Sequence, residues 1–403
     1  MRISTSMIFE SGSSRLSDLQ SQMMKTQQQI STNRRVLTPA DDPIAAASAI
    51  NLSQAISMND QYTVNRKNAT STLSEQESVL SSVASLLQSV KDAVVGAGNA
   101  SMSDEQRKLY LSQLNSNYEE LIGLANTRDA KGDYIFSGYS TGAAPFSKTD
   151  TGAVYNGDQG QRMMQVAASR QLSTSNSGTQ IFESTLTGNG RFTTGAAAAN
   201  TGSGVIDIGS VYDNTMLNGG QYTLNFDVDP LTEEVTYTVT EMPAGTTSAP
   251  QAYVSEQPIK INGMQFTIKG EPAAGDAFTV EPSKSQSIFT TIKDLITAIN
   301  SPATGAVDQA SLANALSIAN NHIDRTLDTV SSVRSSIGSR LNEIENLDNT
   351  GSDLKLQYTQ TLSDLQDIDL VEAYSRFTQQ QYTLQAAQQS YIKLTGLSLF
   401  NYI

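Results

Sequence analysis

Residues 316–344, LSIANNHIDRTLDTVSSVRSSIGSRLNEI, place Leu316, Ile323, Val330, Ile337 and Ile344 seven residues apart. Leu312, Ala319, Val333 and Leu347 fill the intermediate positions. Apolar residues repeating every seven, with a second set three or four away, form the seam of a helix that packs along a partner helix. The spacing predicts a helix over 310–347, about 57 Å long at roughly 1.5 Å per residue. Such a stripe needs an equally long partner, and the rest of the chain supplies candidates.

Downstream, Leu370, Phe377, Leu384 and Tyr391 are again seven apart, supported by Ala373, Ala387 and Leu394. Upstream, Leu16, Leu19, Met23 and Ile30 follow spacings of three, four and seven, and this tract ends near Asn33-Arg34-Arg35. Asp42-Pro43 then starts a second helix. Asp42 accepts from backbone N–H groups that lack helical partners, and Pro43 occupies the first helical position, where no N–H is needed. That helix is expected to run to about Ala97, carrying Val83, Leu87, Val90 and Val94, with a further helix over 103–127.

Between 141 and 285 the period changes to two. Tyr222, Leu224, Phe226 and Val228 alternate with polar residues, then Val235, Tyr237 and Val239 after a turn at Asp229-Pro230. Asn262-Gly263 between Ile261 and Phe266 is a hairpin signal, because both residues tolerate φ > 0. Tyr134 to Gly138 reads as a short strand, and the Gly, Ala, Thr and Asn of 188–204 as a mobile loop. The fold class is thus α+β: long antiparallel coiled-coil helices from both chain ends around an inserted β-rich domain. Its parts are an N-terminal helical half (1–140), the insert (141–285) and a C-terminal helical half (286–403). The insert forces the two helical halves back together, and the loop this closes costs entropy only logarithmically in its length.

Composition narrows function. Hydrophobic residues are 38% of the 403, below the roughly 45–50% (Gly included) of ordinary domains, which suits long two-helix contacts. The net charge of −14 repels polyanions, so nucleic acid is not an expected partner. The central part is the most acidic, with seven basic against fourteen acidic residues. Without Cys there is no disulfide, thiol catalysis or thiolate metal site. No stretch has the length and apolarity of a membrane span, and the start has no apolar signal-peptide core, so neither membrane insertion nor a cleaved leader is expected.

No constellation for catalysis emerges, and no cofactor or metal is expected. His322 is the single histidine and reads as a surface or interface residue of its helix. A two-histidine zinc motif is therefore impossible, and no Gly-x-Ser-x-Gly elbow is present. Asp227, Asp229, Glu233 and Glu234 lack the glycine and bidentate acid of a calcium loop, and read as a charged hairpin tip. Asp367/Asp369 and Glu343/Glu345 are two apart and do not share a helical face. The C-terminal run, with Leu394, Leu397, Leu399 and Phe400, is more apolar than a free end. An apolar end suggests burial, either against another copy or on its own helix.

Three segments carry a family likeness. Met1 to Thr5, Asn33 to Pro43, and the tract ending Leu397-Ser398-Leu399-Phe400 resemble the flagellin superfamily. Asp41-Asp42-Pro43, where flagellins usually have Asp-Asp-Ala, the passage Leu124 to Gly138, and the β segments Tyr155 to Asp158 and Ile261 to Val280 resemble its hook-associated junction proteins. The likeness covers 1–140 and 286–403 and is weaker over the insert. It implies an extracellular flagellar subunit, made in the cytoplasm and exported through the flagellar type III apparatus without a cleaved signal. It further implies a cytoplasmic chaperone on the C-terminal helix. Self-assembly into a ring would follow, between the first hook-associated protein on the hook side and flagellin on the filament side. The alternatives are filament flagellin, a secreted enzyme on a flagellin-like scaffold using Asp/Glu chemistry alone, and a coiled-coil adhesin.

Overall fold

The computed structural model describes residues 5–99 and 101–396. Its α-helices are α1 (Thr5–Thr32), α2 (Pro43–Ala97), α3 (Asp104–Ala125), α4 (Ile288–Asn300), α5 (Ala306–Gln366) and α6 (Leu370–Gly396). Among the described residues, all strands lie between Phe146 and Pro282. The Asp42 carboxylate accepts from Ala45 N at 3.0 Å, with Pro43 as the first helical residue, so α2 starts where the sequence places it. Ser103 begins α3 with a reciprocal capping box to Gln106. Helix α5 continues well past the expected end at 347, because Leu347, Gly351, Tyr358, Leu362 and Leu365 sustain the three–four spacing with a partly covered face. The chain forms two compact units, Met1–Asn65 with Glu345–Ile403, and Arg66–Ile344.

In the first unit α1 packs on α6. Their connection to α2 and α5 is tied by the backbone: Arg35 N donates to Gln366 O at 2.7 Å, beside an antiparallel bridge between Arg34 and Asp367. Asp41 closes the turn before α2. It accepts from Leu37 N and Thr38 N and pairs with Lys25 at 2.5 Å. These donors, the Lys25 hydrogen bond foremost, hold its pKa down at about 2.

In the second unit α2 and α5 run antiparallel. Lys91 pairs with Asp324 at 2.5 Å and Glu77 with Arg334 at 2.6 Å, so partner numbers fall on one helix as they rise on the other. Two small antiparallel hairpins precede the main β region: β1 (Phe146–Thr149) with β2 (Gly152–Tyr155), and β3 (Met163–Ala167) with β4 (Arg170–Ser173). The remaining strands are β5 (Phe192–Ala196), β6 (Val205–Ile206), β7 (Ser210–Val211), β8 (Gln221–Val228), β9 (Val235–Met242), β10 (Thr246–Thr247), β11 (Gln251–Ala252), β12 (Ile259–Ile261), β13 (Met264–Phe266), β14 (Ile268–Lys269) and β15 (Ala277–Pro282). The main sheet is ordered β10-β9-β8-β15-β5, with β11 also on β9. Inward residues Tyr222, Leu224, Phe226, Phe278 and Val280 meet Ile259, Phe266 and Ile268 in one core. The β12–β13 turn has Asn262 at φ 40° and Gly263 at φ 83°, the left-handed pair its Asn-Gly composition predicts.

Three expectations are corrected. Tyr134 to Gly138 is not a strand: Tyr134 makes an isolated bridge to Arg128, and Ile135, Phe136 and Ser137 form buried turns. Hydrophobic residues there mark burial, not extension. Residues 188–204 contain β5, which joins the main sheet through β15 and anchors Phe192 in the core. The following turn is fixed by polar side chains, since Asn200 bonds both N and O of Ala277, and buried Asp276 accepts from Thr201 N and Gly202 N. His322 lies in the core at 1% exposure, not at a surface. Its Nδ1 sits 2.7 Å from Thr291 Oγ1 and its Nε2 3.4 Å from the Thr185 carbonyl.

That burial has a pH consequence. Desolvation, followed by the Arg325 charge, lowers the His322 pKa, with the Thr185 carbonyl acting in the opposite direction. The folded chain keeps the ring neutral where the unfolded chain, with a value near about 6.5, takes up a proton. The stability it contributes is complete above that value and is lost progressively as pH falls from there through the lowered folded-state pKa. A His322→Gln chain is expected to lose less melting temperature than the parent between pH 7 and pH 5. Parallel curves over that range would refute the assignment.

Candidate assembly surface

The terminal helices show how one helix can carry two apolar faces. On α6, Ala373, Phe377, Gln380, Leu384, Ala387 and Tyr391 follow alternating spacings of four and three and are the covered side chains; Ala373 and Leu384 are buried. On α1 the matching row is Gly12, Leu16, Leu19, Met23, Thr26 and Ile30. The rows meet antiparallel: the Phe9 and Tyr391 ring centroids are 5.4 Å apart, and Gly12 lies so close that a Cβ would stand 3.0 Å from the Tyr391 ring. Leu16, Leu19, Met23, Ile30, Phe377 and Tyr391 are only half-buried, and Leu370 sits at the edge of the face, exposed. Leu394 belongs to α6, whereas Leu397, Leu399 and Phe400 lie outside the described residues.

Among the described residues, a second set of apolar side chains in this unit is largely exposed. On α6 Val371 (82% exposed), Tyr374, Tyr382 (71%) and Ile392 point to solvent. At about 100° per residue they lie roughly 100–180° round the helix from the seam row. Met7 and Met24 on α1, and Ile44 (81%), Ile50, Met58 and Val64 on α2, are likewise exposed. Single exposed apolar residues are ordinary, whereas this density along a few helices is the character of a candidate interaction surface. In the second unit, by contrast, Val83, Leu87, Val90, Leu316, Ile323, Val330, Ile337 and Ile344 are all buried in the α2–α5 seam.

Sequence periodicity missed the small and polar members of the seams. Thr26 and Gln29 are buried on α1, with Gln29 Nε2 donating to Arg35 O at 2.7 Å. Buried Asn59 donates to Gly351 O at 2.7 Å. The spacing 12-16-19-23-26-30 shows them only if glycine and threonine are admitted as seam residues. Asp229 accepts from Leu231 N and Thr232 N and closes its own turn. Among the described residues no group of three or more His, Asp or Glu is placed to hold a metal, and no helix is long and apolar enough to cross a membrane.

Comparisons with known proteins agree with this geometry. Residues 3–141 match the bacterial flagellin N-terminal helical region. Flagellar hook-associated protein 3 of Escherichia coli K12 is 30% identical over 401 residues, spanning 99% of both chains. The crystal structure of the flagellar junction protein FlgL from Legionella pneumophila, 30% identical, superimposes with a TM-score of 0.72 over 79% of this chain and 100% of that one. Flagellin of Listeria monocytogenes is 28% identical, but over only 30% of this chain and 42% of its own. Likeness to flagellin is thus confined to part of the chain, whereas likeness to the hook-associated protein runs end to end, and this chain belongs to the flagellar hook-associated protein 3 family.

Proposed function

We propose that the protein is a non-enzymatic structural subunit at the hook–filament junction of the bacterial flagellum, assembled through its terminal helices. The carrying observation is the uncovered apolar face of α1, α6 and the start of α2, in a chain similar over its whole length to hook-associated protein 3. A two-helix contact in water is marginal, because packing rather than propensity supplies helix stability. Other copies of the chain, arranged in a ring, supply the missing cover. In this reading its neighbours are the first hook-associated protein on the hook side and flagellin on the filament side. The insert 141–285 serves as an outward spacer between the halves 1–140 and 286–403, and its acidic excess suits a solvated surface.

An apolar face that must stay unpaired until delivery calls for a cytoplasmic chaperone on the C-terminal helix. A chain without disulfides can pass unfolded through the flagellar export apparatus and act outside the cell. Disrupting the gene is expected to leave hooks in place and release unpolymerised flagellin into the medium. Filaments of normal length in such cells would overturn the reading.

A further inference from the structure

The α2–α5 seam of the second unit is long and nearly periodic. From Arg66 to Ala97, and from Leu312 to Ile344, every third or fourth residue in turn faces the seam, and almost all are apolar. A pairing displaced by seven residues would again set apolar against apolar. In a hairpin a tight turn forbids such slippage, but α2 and α5 are separated by the whole insert.

Four polar residues interrupt these rows: Thr326, whose hydroxyl donates to His322 O at 2.8 Å within its own helix, and three with long side chains. Arg66 and Gln76 on α2 are buried, and Arg340 on α5 is largely so. All three are satisfied by one stretch of the insert, β3–β4 and the residues just after it. Arg66 Nη1 donates to Val166 O at 2.9 Å, and Gln76 Nε2 to Thr174 O at 2.6 Å. Arg340 Nη1 donates to Ser173 O at 3.1 Å. Asn176, 1% exposed, bonds both helices through one amide. Its Nδ2 donates to Gln76 Oε1 at 3.1 Å, and its Oδ1 accepts from Arg340 Nη2 at 3.2 Å.

We infer that Asn176, with Gln76 and Arg340, is a register key that admits one alignment of α2 against α5. Only when Gln76 and Arg340 stand opposite the same amide are all the buried groups paired. A seven-residue displacement leaves a guanidinium or a carboxamide buried among apolar side chains, which is strongly unfavourable. The apolar stripe supplies the attraction between the helices and the polar key supplies its uniqueness.

The chain has no cysteine, so introduced pairs report register without background. In the full chain, Glu77→Cys with Arg334→Cys reports the native alignment, and Glu77→Cys with Leu341→Cys one displaced by seven residues. Each pair is refolded from urea and treated with a short bismaleimide. With the key intact, the native pair is expected to cross-link at least tenfold more than the displaced pair. With Gln76→Leu, Asn176→Leu and Arg340→Leu combined, helix content is retained and displaced cross-linking rises at least tenfold. Should that variant fail to regain helix content, Asn176→Ala, which removes only the bridging amide, decides the matter by the same rise. Displaced cross-linking that stays at its background level in every folded variant overturns the inference.

Discussion

Leu384→Asp is expected to abolish incorporation of the subunit into flagella while leaving the second unit folded. Leu384 is 7% exposed in the α1–α6 seam, so the substitution removes a buried leucine and puts an unpaired carboxylate in its place. The lost packing alone is worth about 2–5 kcal/mol, and desolvating the carboxylate adds to it. A two-helix contact has little stability to spare. Circular dichroism should show a loss of helix no greater than the terminal helices contain, with the β-rich unit still melting cooperatively. A companion variant separates folding from assembly. Val371 is 82% exposed on α6, so Val371→Asp costs the free subunit little and charges only the outer face. Helix content should therefore stay at the parent level, while incorporation, measured on isolated hook–filament complexes, falls at least tenfold. A motile strain with normal incorporation of Val371→Asp would show that this face stays in water after assembly.

The contrast between those two residues also marks what a sequence can reveal. Leu384 and Val371 are both aliphatic, and periodicity assigns Leu384 to the stripe shared with Phe377 and Tyr391. The second face has no strict repeat, since Val371, Tyr374, Tyr382 and Ile392 are diluted by Gln and Ser, so it emerges only when exposure is measured. The long helices were legible because heptads and the Asp42-Pro43 start are local signals. The Asn262-Gly263 hairpin was legible because its φ values follow from residue type. Buried turns and polar staples were not. Ile135 and Phe136 are apolar because they are enclosed, not because they are extended, and β5 is recruited from a Gly- and Thr-rich segment by its partner β15. His322 and Asn176 are buried through partners distant in sequence, and no window around either residue contains them.

Phe182→Ala is expected to be the most damaging single truncation in the second unit. Phe182 lies on a π-helical turn at Thr179–Glu183 and is fully buried. Its ring stands 5.7 Å from Phe136 and 5.4 Å from Phe146, both edge-on, and 5.6 Å from Phe289 on α4. Phe289 in turn meets Phe146 at 5.0 Å and Tyr118 of α3 at 6.4 Å. One side chain thus joins the β1 hairpin, the turns after α3 and the helix that leads back into α5. Removing it costs about 3–5 kcal/mol of transfer and cavity energy. For a unit of this size that lowers the melting temperature by roughly 10 °C, at about 2–4 °C per kcal/mol. Aromatic pairs with ring centroids about 4.5–7 Å apart add roughly 0.5–1.5 kcal/mol beyond their area, and the tilted Phe182–Phe289 pair stands at 5.6 Å, so Phe182→Ala and Phe289→Ala should couple. Their double variant is then expected to be less destabilised than the sum of the singles, by about 1 kcal/mol or more once the shared cavity is included. Thermal and urea unfolding of the four chains measures this. A single-variant loss below about 1 kcal/mol, or strict additivity, would mean that the cluster fills space without joining the helices to the insert.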